Sequence, residues 1–125
     1  MPEAKSLTAL VVDDQQTMRA MARLVLKQIG VLDVAVAASA EAAIEQIGGK
    51  KFDVVISDLN MPGMSGVELA EKLKADPATN GIPFFLATSK AYQDQAGENV
   101  DHFVAKPFMV PDLKEAIETH LGTLT

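Results

Sequence analysis

Five short apolar runs, each followed by a stretch with helical spacing or a turn, constrain the fold more than any other feature of this chain. The first, residues 8–13 (Thr-Ala-Leu-Val-Val-Asp), is continuously apolar up to its acidic end. Runs of that kind suit strands buried on both faces, as in a parallel sheet covered by helices. Next, Met18, Met21, Ala22, Val25 and Ile29 recur at helical spacing, and Gly30 supplies a helix stop. Residues 33–37 read as a second strand. Ser39 then caps a helix bearing Ala43, Ile44 and Ile47, which Gly48 and Gly49 close. Residues 52–57 form the third run, and Ser65 caps a helix carrying Val67, Ala70 and Leu73, stopped near Asp76 and Pro77. Residues 82–87 form the fourth, with Pro83 tolerable only near its beginning. Residues 101–105 form the fifth. A final helix begins around Pro111 and buries Leu113, Ala116, Ile117 and Leu121. This alternation predicts an α/β fold with a parallel sheet.

Residues 89–99 break the rhythm, because Ala91, Tyr92 and Ala96 are their only apolar candidates for a helix face. A parallel crossover needs at least about 10–12 residues, so one or two helical turns or a mobile loop is expected there.

The chain is 125 residues long and 48% apolar, which suits one domain with its own core, spanning residues 1–125. It has no cysteine, which excludes thiolate-zinc, iron–sulfur and disulfide chemistry. Its formal charge is −6 and no basic stripe interrupts it, so binding to nucleic acid through phosphate neutralisation is not expected. The apolar run near the N-terminus is too short for a signal peptide. No run approaches the roughly 18 apolar residues of a membrane helix. A cytoplasmic protein without a membrane partner is expected.

Ligands of parallel α/β sheets sit beyond the carboxyl ends of the strands. Those ends supply Asp13 and Asp14 after the first run, Asp58 after the third, Thr88 after the fourth, and Lys106 with Pro107 after the fifth. The second run ends in Ala37 and Ala38 and offers nothing. Three carboxylates drawn together raise at least one pKa unless cations balance them. Lys106 supplies one positive charge, and a divalent cation would supply two more. Oxygen ligands favour Mg²⁺ or Mn²⁺ over zinc. Neither His102 nor His120 belongs to this set. Taken singly, each member has a plainer role: Asp14 as a helix cap, Asp58 as a turn former, Thr88 as a loop hydroxyl, Lys106 as a solvated side chain. Their occurrence together at one class of position is what carries chemical meaning.

These residues, Asp13-Asp14, Asp58 within ISDLNMPGMSG, Thr88 within LATS, and Lys106-Pro107-Phe108, resemble a two-component response regulator receiver domain of the CheY-like type, of the stand-alone kind, over essentially the whole chain. The resemblance implies a doubly wound, flavodoxin-like five-stranded parallel sheet in the order 2-1-3-4-5. It implies that Asp58 accepts a phosphoryl group from a phosphohistidine, and that the domain catalyses this transfer and its own dephosphorylation without being a conventional enzyme. Asp14, Asp58 and the Asn60 carbonyl would bind Mg²⁺, with Asp13 acting mainly through water. Thr88 and Lys106 would contact phosphoryl oxygens, and the Lys106–Pro107 bond is a candidate cis peptide. The implied partners are a sensor histidine kinase or histidine phosphotransfer protein and a downstream effector, met by a monomer. The first helix around Met18 and Met21 and the loop after Lys106 are the expected kinase-facing surfaces, although Met21 also fits the core stripe.

A carboxylate needs no neighbouring base to act as a nucleophile at neutral pH. Phosphoryl transfer instead needs positioning and neutralisation of the equatorial oxygens. Pro62, Gly63 and Gly66 read as turn formers that clear an approach to Asp58, or as ordinary loop residues. In the family the strand-four hydroxyl moves inward on phosphorylation and an aromatic on strand five follows. Thr88 and Phe103 occupy those positions, and Phe103 serves equally as a core residue. Lacking the hydroxyl of the commoner tyrosine, Phe103 leaves no polar group to satisfy when buried. The run PFFLATSKAY also resembles single-domain receivers of stress-response phosphorelays, whose helix between strands four and five is short or disordered, although Leu86 and Ser89 depart from their signature. Lys90 and Asn60 flank the site and could tune hydrolysis. A haloacid dehalogenase-type phosphatase would need an aspartate where Asn60 stands, and a flavodoxin-like phosphate loop would be repelled by Asp13 and Asp14. A degenerate receiver that serves only as a binding module remains the alternative.

Overall fold

A computed structural model describes residues 3–88 and 99–125 of the chain. After a short 3-10 turn at Ala4–Ser6 come β1 (Thr8–Val12), α1 (Gln16–Ile29), β2 (Asp33–Ala37), α2 (Ala40–Gly49), β3 (Val54–Asp58), α3 (Gly66–Ala75), β4 (Phe84–Thr88), β5 (His102–Ala105) and α4 (Val110–Leu121). The strands form one sheet in the order β2-β1-β3-β4-β5, and every pairing is parallel. The expected doubly wound architecture is therefore present. The short helix or loop expected between β4 and β5, together with Lys90, lies outside the described residues.

Alternation along the strands divides the interior into two layers. Ala9, Val11, Val54, Ile56, Phe85 and Ala87 face α1 and α4, meeting Ala22, Val25, Leu26, Leu113, Ala116 and Ile117. Leu10, Val12, Val55, Phe84 and Leu86 face α2 and α3, meeting Ala40, Ala43, Leu69, Ala70 and Leu73. Each fully buried Leu, Ile or Phe contributes roughly 1.5–3 kcal/mol relative to exposure. Exposed ion pairs such as Lys50–Asp33 are screened by solvent and add little. The two apolar layers, rather than surface charges, hold the sheet in place.

The helix ends follow local chemistry. Gly30, at φ 110°, closes α1 with its N–H shared between the carbonyls of Leu26 and Lys27. Ser39 caps α2 by accepting from Ala42 N at 3.1 Å. Ser65 and Glu68 form a reciprocal capping box on α3. Strand β4 begins one residue after Pro83, which lacks the N–H a ladder needs but lends its carbonyl to Val55 N at 3.0 Å.

One expectation about α1 is corrected. Met21 is 40% exposed and lies outside the core, while Leu26, absent from the expected stripe, is fully buried. The buried face runs through Ala22, Val25 and Leu26, so its centre is rotated from the face that includes Met21. The plainer role for Asp14, a cap on α1, is not taken up. Gln15 holds the cap position without a side-chain bond, and Gln15 N donates instead to Asp13 Oδ1 at 2.9 Å.

Gly66 couples α3 to the site end of β3. Its N–H donates to the Leu59 carbonyl at 2.9 Å, and a Cβ built on it would overlap the Asp58 carbonyl oxygen. The backbone cannot yield there without moving the end of β3. Gly66→Ala is therefore expected to lower the unfolding free energy by about 1–3 kcal/mol, read by urea titration, and to shift the Asp58 and Leu59 amide resonances. Unchanged stability with unchanged resonances would contradict this close-packing account.

Candidate functional site

Three strand ends deliver the acidic residues to one edge of the sheet. Asp13 follows β1, is 2% exposed, and is fixed by its own backbone, since Asp13 N donates to the Ala37 carbonyl at 3.0 Å. The Arg19 guanidinium, one turn into α1, donates to the Asp13 carbonyl at 2.8 Å and tethers the loop to the helix. Asp58 is the last residue of β3, held between β1 and β4 by the ladders around it. One carboxylate oxygen from each of Asp13, Asp14 and Asp58 lies within 4.8 Å of the others.

Lys106 enters this acidic cluster from the end of β5. Its Nζ donates to Asp58 Oδ1 at 2.8 Å and to Asp13 Oδ2 at 3.0 Å. Its side chain is 20% exposed, so it is not the solvated lysine that a lone residue would suggest. Lys106 N also donates to the Thr88 carbonyl at 3.3 Å, which ties the position of the ammonium to β4. The Lys106–Pro107 peptide is cis, and Phe108 beyond it is buried in the layer beneath α1 and α4.

The electrostatics follow from burial and charge. Burial pushes the Asp58 carboxyl above its ordinary value; the Lys106 hydrogen bond and charge pull it down, and the Asp13 charge pushes it up again. Burial alone would lower the Lys106 ammonium, but its hydrogen bonds to Asp58 and Asp13 and their charges outweigh that and hold it above its ordinary value. Three carboxylates facing one ammonium leave an excess of negative charge. A donor set of carboxylate oxygens, with Asn60 exposed two residues past Asp58, has the chemistry of a hard divalent cation site rather than a zinc site.

The sequence-derived residues thus divide by position. Asp13, Asp14, Asp58 and Lys106 come together at one edge of the sheet. Thr88, at the end of β4, is 3% exposed and sits in register with Ala105, next to Lys106. Phe103 is half-buried on β5, in register with Leu86, and packs against the layer beneath α2 and α3. Three neighbours were not singled out in advance. Gln15 and Arg19 hold the Asp13 loop. Glu41, at the start of α2, accepts from Met64 N at 3.4 Å and lies beside Gly63, whose φ is 80°. Glu41 pins the turn that leads away from Asp58, a contact between distant segments that local spacing does not mark.

Relatives place this geometry. A response regulator receiver domain model matches residues 9–118. The chain is 35% identical over 113 residues to the chemotaxis protein CheY of Pseudomonas aeruginosa, covering 87% of this chain and 91% of that one. It is 31% identical over 118 residues to chemotaxis protein CheY-3 of Vibrio cholerae, covering 91% of each. Among solved structures, the response regulator TrrA of Thermotoga maritima, in complex with Mg²⁺-BeF, matches with a TM-score of 0.82 at 29% identity, covering 92% of this chain and 99% of that one. With its parallel sheet, its strand-end aspartates and a family match running from β1 into α4, the chain belongs to the response regulator receiver domain family.

Proposed function

We propose that Asp58 accepts a phosphoryl group from the phosphohistidine of a sensor histidine kinase or a histidine phosphotransfer protein, and that residues 1–125 act as one cytoplasmic, monomeric receiver. The product is either a switch read by an effector protein or an intermediate that passes the group onward. The observation that carries this reading is the Lys106 ammonium donating to both Asp13 and Asp58 in a pocket where three carboxylates converge.

Among the described residues, both hydrogen bonds to the Asp58 carboxylate fall on Oδ1. Oδ2 takes neither of them and is the attacking oxygen. It forms the new O–P bond as the donor N–P bond breaks, and the electron pair leaves with the imidazole nitrogen. Leu59 N and Lys106 Nζ fix the carboxylate during attack, so catalysis is positioning and charge neutralisation rather than base chemistry. The Lys106 ammonium and the Thr88 hydroxyl would meet phosphoryl oxygens. Asp13, Asp14, Asp58 and the Asn60 carbonyl would hold Mg²⁺ or Mn²⁺, which when bound neutralises charge on the transferring group. The Mg²⁺-BeF complex of TrrA supports such a site in this chain. The same ions would serve hydrolysis of the acyl phosphate.

Incubation with a small phosphodonor and Mg²⁺ should add one phosphoryl mass to the wild type and none to Asp58→Asn, with chelation of the cation suppressing uptake. A folded wild type that gains no phosphoryl mass would instead be a binding module.

Thr88 is buried beside the Lys106 backbone, and Phe103 lies only partly buried one strand over. Engagement of the Thr88 hydroxyl by the phosphoryl group would open space that Phe103 fills. Methyl and aromatic NMR of free and phosphorylated protein should show a larger inward population of Phe103 after phosphorylation. Equal populations would exclude the switch.

A further inference from the structure

Away from the aspartate cluster, the two histidines of the chain, eighteen residues apart, meet on the surface formed by β5 and α4. His102 Nδ1 and His120 Nε2 lie 3.2 Å apart. The rings stand edge to face at 90°, with centroids 5.2 Å apart. Both rest on Phe85, which is fully buried, at centroid distances of 5.6 and 5.4 Å. One rigid aromatic floor therefore fixes two imidazoles that come from different elements.

We propose that His102 and His120 form a binding site for a borderline divalent transition-metal ion, Zn²⁺ or a first-row neighbour, which clips α4 to β5. Two imidazole nitrogens bound at about 2.0–2.1 Å to a tetrahedral ion lie about 3.3–3.4 Å apart. The observed spacing is already close to that value, so metal replaces the proton shared by the pair after only small ring rotations. Burial, and then the charge of His120, hold the His102 pKa below its ordinary value, so His102 resists protonation and keeps a lone pair available. The carboxylate of Glu115, on α4, acts on His102 in the opposite sense and favours positive charge there. The nitrogen donors also separate this site chemically from the aspartate cluster, whose oxygens suit harder ions. The remaining coordination positions face solvent, since His120 is exposed and His102 half-buried.

The test is titration of the full chain with ZnCl₂ at saturating Mg²⁺, followed by calorimetry and by the imidazole NMR resonances. The wild type should bind one ion, with shifts in both histidine rings and a raised melting temperature. His102→Ala and His120→Ala should each weaken binding by more than the roughly 10- to 100-fold that loss of an outer-shell partner causes and abolish the thermal shift, with circular dichroism confirming that both variants fold. His120→Asn, which removes the ligand while preserving helix polarity, should behave like His120→Ala. Absence of Zn²⁺ binding, affinity unchanged in these variants, or Zn²⁺ that excess Mg²⁺ displaces would each overturn the assignment.

Discussion

The Lys106 ammonium shared by Asp13 and Asp58 is the contact on which the site depends. It joins the ends of three strands that are 93 and 48 residues apart in sequence from Lys106. Without it, the carboxylates would face one another in a partly dry pocket, where like charges resist simultaneous ionisation. Even with it, burial keeps Asp58 above its ordinary pKa. A carboxylate whose folded pKa exceeds its unfolded one contributes stability that is fully present below the unfolded value and is lost as pH rises through the folded value. Burial thus makes ionisation of Asp58 an expense to the fold, one that a cation bound at the cluster would relieve.

The sheet makes that expense sustainable. Two apolar layers lock β1, β3, β4 and β5 in parallel register, so the strand ends cannot drift apart to relax the charges. Gly66 packs against the Asp58 backbone, and Arg19 and Gln15 hold the Asp13 loop. Pre-organisation of this kind is how a receiver fold can position an acceptor carboxylate without an attached base. The same rigidity places the two histidines on a single Phe85 ring at the far side of β5.

Much of this was legible in the sequence because parallel strands buried on both faces must be continuously apolar and must end in polar residues at one edge. Asp33–Ala37 matches its expected bounds, whereas β3 runs one residue further than expected and takes in Asp58 itself. Asp13, Asp14, Asp58 and Lys106 were found by position alone. What sequence could not supply was tertiary. Met21 and Leu26 both fit helical spacing on α1, and only the direction of docking buries Leu26 and exposes Met21. Arg19 and Glu41 serve the site through folding, with no motif to announce them, and Gly66, read in sequence as a turn or loop residue, instead opens α3 against the Asp58 backbone. The meeting of His102 and His120 depends on the crossing of α4 over β5, which no spacing rule encodes.

The most direct test of the central claim is to locate the phosphoryl group chemically. An aspartyl acyl phosphate is reduced by borohydride to homoserine, so phosphorylated protein can be reduced, digested with trypsin and sequenced by mass spectrometry. The account predicts homoserine at position 58 in the peptide spanning residues 52–72, only after treatment with phosphodonor and Mg²⁺. Homoserine at position 13 or 14, or none in a protein that has taken up phosphate, would contradict it.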